Sequence, residues 1–192
     1  MEVKDLKKLF GNYTQFTKES KEYKYGFGKG NKRGLGNIYF PINGVDCSSA
    51  TWLELYDPKT SDLSWISDVF PNLKVLELAE NKTKKLQSLD GIEKLSNLET
   101  LISNSQFDIE GNLKINSLGT TVRELYLWYT NLDLKILNQN MNFIYLHGTK
   151  VSNIENLRDI NLNYLKTYKL KDSEGNNLGI EDFSGEFKDF IL

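Results

Sequence analysis

Four side-chain offsets recur along this chain, and they restrict its fold more than any other feature. In FPNLKVLELAEN, Leu73, Leu76 and Leu78 stand at offsets 0, 3 and 5, with Asn81 at 8. The same offsets return as Leu98, Leu101, Ser103 and Gln106, as Val122, Leu125, Leu127 and Thr130, and as Met141, Ile144, Leu146 and Thr149. A looser copy precedes them as Ala50, Leu53, Leu55 and Pro58, and another follows as Leu162, Leu165, Thr167 and Leu170. Successive copies begin 23, 25, 24, 19 and 21 residues apart, a period near 22. A unit of that size cannot bury its apolar side alone, so each copy must stack on the next.

Side chains two apart in a strand point the same way, so offsets 3 and 5 face a common core. The residue at offset 0 enters from the preceding turn. At offset 8 the strand ends and the chain bends inward, where a buried amide such as Asn81 can bond the backbone groups of neighbouring turns. Gln106, Thr130, Thr149 and Pro58 hold the equivalent place elsewhere, which predicts an irregular ladder. Between strands, Leu86, Leu89, Ile92, Leu95, Leu98 and Leu101 follow triplet spacing, as do Val151, Ile154, Leu157 and Ile160. Triplets suit 3-10 turns, whose side chains eclipse at i and i+3.

On these motifs the chain resembles the leucine-rich-repeat family, with short internalin-like repeats, over about residues 48 to 170. The resemblance implies an α/β solenoid, a right-handed superhelix with about six parallel strands on its concave face, a convex side of 3-10 or short helical segments, and caps at both ends. Residues 1–47 are then an N-terminal helix and capping strands, 48–170 the repeats and 171–192 a C-terminal cap. At the start, Leu6, Leu9, Phe10 and Tyr13 predict a helix within residues 1–20, and EYKYGF, NIYFPI and the offsets of Leu35, Ile38, Phe40 and Asn43 predict capping strands. TSDLSWISDVF predicts a further helix opened by Thr60 or Ser61 and stopped before Pro71. At the end, Phe183, Phe187 and Phe190 at i, i+4 and i+7 predict an amphipathic helix, which Gly185 weakens.

Composition limits the chemistry. His147 is the chain's one histidine and Cys47 its one cysteine, which leaves no two-histidine or cysteine-rich metal site, no disulfide framework and no cofactor motif. Cys47 and His147 lie 100 residues apart, on different rungs of a stack, so they are not expected to pair as nucleophile and base. GFGKGNKRGLG fails both phosphate-binding patterns: Gly30 follows Gly28-Lys29 where Ser or Thr belongs, and Arg33 occupies the third glycine position. Not an enzyme, then, is the expectation. The start carries Glu2 and Asp5 and lacks the apolar core of a secretory signal, no apolar run approaches membrane-spanning length, and with a lone cysteine this predicts a cytoplasmic protein. Charge divides unevenly, with nine Lys or Arg against four Asp or Glu in residues 1–34 and 15 against 22 in the rest.

The family's concave face corresponds to offsets 2, 4 and 6. By repeat these are Trp52, Glu54 and Tyr56; Val75, Glu77 and Ala79; Thr100, Ile102 and Asn104; Glu124, Tyr126 and Trp128; Phe143, Tyr145 and His147; Tyr164, Lys166 and Tyr168. Nine of these 18 are aromatic or histidine, where solvent exposure alone would accept Lys, Ser or Asn. Six strands about 4.8 Å apart span roughly 25 Å, near the width of a protein interface, and Trp and Tyr commonly anchor such interfaces. Glu54, Asp57, Glu77 and Glu80 gather on the early repeats, and Glu124, Tyr126, Trp128, Tyr129, Phe143, Tyr145, His147, Tyr164, Lys166 and Tyr168 on the late ones. The expected role is a module, monomeric when unbound, that binds another protein carrying a basic patch. By analogy it is an inhibitor or a toxin-immunity protein, and its Lys, Asn and Ile content fits a bacterial source. Two alternatives are single-stranded nucleic acid on the Tyr and Lys of EYKYGFGKGNKRGLG, and a processed extracellular adhesin. Concave acids repel phosphate, so nucleic acid is not expected on that face.

Overall fold

The computed structural model describes residues 13–17, 48, 51–56, 58, 60–80, 86–104, 113–178 and 183–187. Strands dominate, most of them parallel, and helical segments are few and short. The larger sheet runs in the order β1 (Tyr13–Thr17), β2 (Trp52–Tyr56), β3 (Val75–Glu80), β4 (Thr100–Asn104), β6 (Glu124–Trp128), β8 (Phe143–His147), β10 (Tyr164–Tyr168) and β11 (Phe183–Glu186). Its six inner strands, β2 to β10, pair in parallel, and β1 and β11 close the two edges antiparallel.

Register explains the apolar spacing. Leu53, Leu76, Leu101, Leu125, Ile144 and Leu165 lie directly opposite one another across the six strands, and each is fully buried. A second row, two residues on, holds Leu55, Leu78, Ser103, Leu127, Leu146 and Thr167, also buried. Leu73, Leu98, Val122, Met141 and Leu162, each three places ahead of the first row, complete the core from the turns. Cutting one such leucine to alanine in a packed interior costs about 2–5 kcal/mol.

The repeats also share backbone chemistry. The carbonyls of Thr51, Lys74, Glu99, Arg123 and Asn142 each accept from two successive N–H groups at the entrance of the next strand. An amide ladder runs beside them. Asn72 donates to Ser48 O, Asn97 to Pro71 O and Asn140 to Thr120 O, with the Thr121 hydroxyl doing the same to Leu98 O. Each side chain therefore reaches back one repeat. The expected ladder at offset 8 takes a different form: Asn81 and Gln106 lie outside the described residues, Thr130 and Thr149 are buried, and the Thr149 hydroxyl donates to Leu127 O at 3.3 Å.

After three strands the chain turns on a single left-handed residue: Tyr129 (φ 50°), Gly148 (φ 58°) and Lys169 (φ 50°). The corner after β6 leads into a second, three-stranded parallel sheet of β5 (Leu113–Ile115), β7 (Thr130–Asp133) and β9 (Lys150–Ser152). The opposite side was expected to be 3-10 or short helical, and it is partly strand. Short 3-10 segments do follow the triplets at Ile92–Lys94 and Ile154–Asp159, with a third at Leu134–Ile136 capped by the Asp133 carboxylate. Gly91, in the left-handed region at φ 110°, precedes the first of them where a Cβ would collide with the Leu63 backbone.

Three local expectations give way. The helix over 60–70 shrinks to Ile66–Val69, because Thr60 donates to Asp62 O and Asp62 accepts from Ser64 N, holding the preceding residues in a turn. The helix expected over Phe183, Phe187 and Phe190 is replaced at its start by β11: the open edge of β10 offers unpaired backbone groups that a strand satisfies, and Gly185 is a poor helix former. Tyr13 belongs to an edge strand instead of a helix, while residues 1–12 and the segment from Leu35 to Asn43 lie outside the described residues. No helix of the described residues is long and apolar enough to cross a membrane.

Candidate binding face

Residues that alternate with the leucine rows lie on the other face of the large sheet. Across β2, β3, β4, β6, β8 and β10 one row reads Glu54, Glu77, Ile102, Tyr126, Tyr145 and Lys166, followed by Ser184 on β11. A flanking row reads Trp52, Val75, Thr100, Glu124, Phe143, Tyr164 and Glu186. On the other flank, Trp128, His147 and Tyr168 are aligned.

The parallel spacing brings the rings into contact. Phe143 stacks on Tyr126 at 4.8 Å between centroids and on Tyr164 at 5.3 Å, the latter pair within 6° of parallel. Trp128 meets Tyr145 edge-on at 4.9 Å, and His147 lies 4.6 Å from Tyr168. His147 is held at both nitrogens: Nε2 is 3.3 Å from the Tyr129 hydroxyl and Nδ1 3.2 Å from that of Tyr145. A neutral imidazole carries one N–H, so one phenol accepts from it while the other donates. The Tyr129 ring, brought back over the face by its left-handed backbone, needs the missing side chain of Gly148: a Cβ there would stand 2.6 Å from Tyr129 Cε1.

This packing corrects the expectation of a fully solvated face. Trp52 is 5% exposed, Ile102 2% and Tyr145 8%, so Trp52 and Tyr145 belong to the interior. Large rings on strands so closely spaced cover their neighbours. Glu54, Glu77, Glu124, Tyr126, Trp128, Tyr129, Phe143, His147, Tyr164, Lys166 and Tyr168 are half-buried, and the side chains of Tyr56, Asp57 and Glu80 lie outside the described residues.

The two ends of the face differ electrically. Burial, and then the charge of Glu77 directly opposite, push the Glu54 carboxyl up to about 7, so near neutrality it is about half protonated. The acidic end is therefore less negative than its residues suggest. Further along, Glu124 accepts from the hydroxyls of Thr100 at 3.4 Å and Tyr126 at 3.5 Å, and burial with that carboxylate raises the Tyr126 phenol to about 12. At the far end the Lys166 ammonium sits 4.9 Å from the Tyr145 centroid and that of Lys169 4.9 Å from Tyr168.

Phe183 and Ser184 join this end through β11. With Tyr145, His147, Lys166, Thr167 and Tyr168 they line an open pocket of about 350 Å³. The expected set omits both because their segment reads as a helix; the alternation of Phe183, Gly185 and Phe187 with Ser184 and Glu186 is the signal for the strand. Among the described residues no group of three or more His, Cys, Asp or Glu side chains could hold a metal ion. Set beside protein-family models, curated proteins and solved structures, the chain matches none of them.

Proposed function

We propose that this chain is a leucine-rich-repeat protein, a right-handed solenoid whose concave side is the outer face of the large sheet, and that it is a non-catalytic module that binds another protein there. The reading is carried by the continuous tract of half-buried rings from Tyr126 through Phe143 to Tyr164, flanked by Trp128 and Tyr168. Rings fixed by their neighbours lose little conformational freedom on binding, which is what makes Tyr and Trp effective anchors. The partner's main contact is with the ring-bearing end, β6 to β10. A basic patch on the partner meets the Glu77 and Glu124 side, with Glu54 adding only part of a charge. An inhibitor or immunity protein that covers a toxin is the role we assign on analogy with small repeat proteins of this kind.

The test is retention of a partner from cells of the native source by the tagged wild-type chain and by Trp128→Ala, Tyr164→Ala and Lys114→Ala. Lys114 lies on the exposed side of the second sheet and serves as the control. One protein should be held by wild type and Lys114→Ala and weakened at least tenfold by the two ring variants, with melting temperatures showing all four chains folded. Equal retention by all four removes the face as the binding surface.

A further inference from the structure

The pocket where β8, β10 and β11 meet has more specific chemistry than the ring tract beside it. Its floor is the buried Tyr145 ring, with the Lys166 ammonium 4.9 Å from that ring's centroid. No carboxylate of the described residues lies within salt-bridge distance of Lys166. A ring face attracts an ammonium but accepts none of its N–H bonds as an oxygen does, so the cation retains donors directed to solvent. A second donor stands next to it. The Tyr164 and Ser184 hydroxyls are 2.9 Å apart, and since either can be the donor, their one mutual bond leaves the other hydroxyl proton available. The Tyr168 ring completes this side of the lining, so apolar surface adjoins the donors. Glu186 stands opposite Tyr164, two residues along β11 from Ser184, and sets the limit of the positive region.

Resting on the protein-binding reading above, we propose that this pocket receives a carboxylate side chain adjoining an aromatic one, presented by an acidic segment of the partner protein. The carboxylate meets the Lys166 ammonium and the free hydroxyl proton, and the partner's ring lies against Tyr168. The partner is thereby given an acidic anchor at this end of the face, opposite to the basic patch that the Glu77 and Glu124 side would attract.

His147 lines the pocket and is the chain's one histidine, so its ring protons give a resolved proton NMR signal without labelling. Titration of the full chain with the blocked peptides Gly-Phe-Glu-Gly, Gly-Phe-Gln-Gly and Gly-Phe-Lys-Gly should shift that signal with the Glu peptide tightest. The preference over Gln should be about threefold, as befits a partly exposed ion pair, with Lys weaker again. Lys166→Met, checked for folding by its melting curve, should equalise Glu and Gln, and Lys166→Arg should keep the preference. Equal binding of all three peptides by the wild type, or no shift with the Glu peptide, overturns the proposal. If partner retention still depends on Trp128 in that event, the ring face stands without the pocket. Peptide preference with no Trp128-dependent partner instead separates the pocket from the protein-binding role.

Discussion

Replacing Glu54 by Gln should make the protein more stable, and only above a certain pH. Glu54 titrates near 4.5 when solvated and near 7 in the fold, chiefly because burial disfavours its charge and secondarily because Glu77 faces it. Between those values the unfolded chain has released the proton and the folded chain still holds it, so stability falls as pH rises across that window. Below about 4.5 both states are protonated and the carboxyl costs nothing. Above about 7 the full cost is present. A shift of this size corresponds to roughly 3 kcal/mol, and solvent reaching the half-buried carboxylate reduces that to about 2 kcal/mol. For a chain of this length, 2 kcal/mol is about 4–8 °C in melting temperature. Thermal melts of wild type and Glu54→Gln from pH 4 to 8.5 would show the curves meeting at the acid end and the variant ahead at the alkaline end. Other titrating groups are common to both chains and cancel in the difference. Glu77→Gln should recover only the smaller part. A gap between wild type and Glu54→Gln that stays constant with pH, or a wild type that is the more stable at pH 8, refutes the assignment of a buried, proton-holding Glu54.

Gly148→Ala should lower stability by at least about 1–2 kcal/mol, because its left-handed φ disfavours any Cβ and that Cβ meets the Tyr129 ring; adding Tyr129→Ala should recover the clash but not the backbone cost, as a double-mutant cycle in urea would measure. Ser103 stands in the leucine row with its hydroxyl fully buried and without a hydrogen-bond partner among the described residues, so Ser103→Ala should raise stability by about 1 kcal/mol in the same assay. Asn140→Ala removes the amide that reaches back to Thr120 O and should cost about 0.5–1 kcal/mol, read from the denaturation midpoint at unchanged slope.

Much of the large sheet is legible in the residues themselves. Leu76 with Leu78, and Leu125 with Leu127, can be read as core because a parallel register places each pair beside its equivalents, and the repeat spacing states that register directly. An amide ladder is also written in the chain, at the place just before offset 0 and not at offset 8: Asn72, Asn97 and Asn140 each precede the first apolar residue of a copy. Their chemistry differs from that of a buried turn amide, since they bond from the sheet's entrance and stay near solvent. The second sheet is another matter. TNLD and KVS are too short to show alternation, and they are strands because Tyr129 and Gly148 turn the chain and a neighbour waits to pair with it. On the outer face of the large sheet the residue types were readable but their exposure was not. Whether Tyr145 is covered depends on Trp128 and Lys166, 17 residues before it and 21 after, and on how those side chains settle across the strands.

The even spacing of the parallel strands bears on how the sheet assembles. Partners such as Leu53 and Leu76, or Leu125 and Ile144, are 19 to 25 residues apart in the chain throughout. Loop-closure entropy over that range differs by only about 0.2 kcal/mol, so chain connectivity gives no pair a head start. Contact energy decides instead, and among the described residues the ring-on-ring contacts join β6, β8 and β10. A stack closed by equal loops can thus start wherever its contacts are strongest, and the ring ladder of residues 124–168 offers one such template onto which neighbouring strands can add.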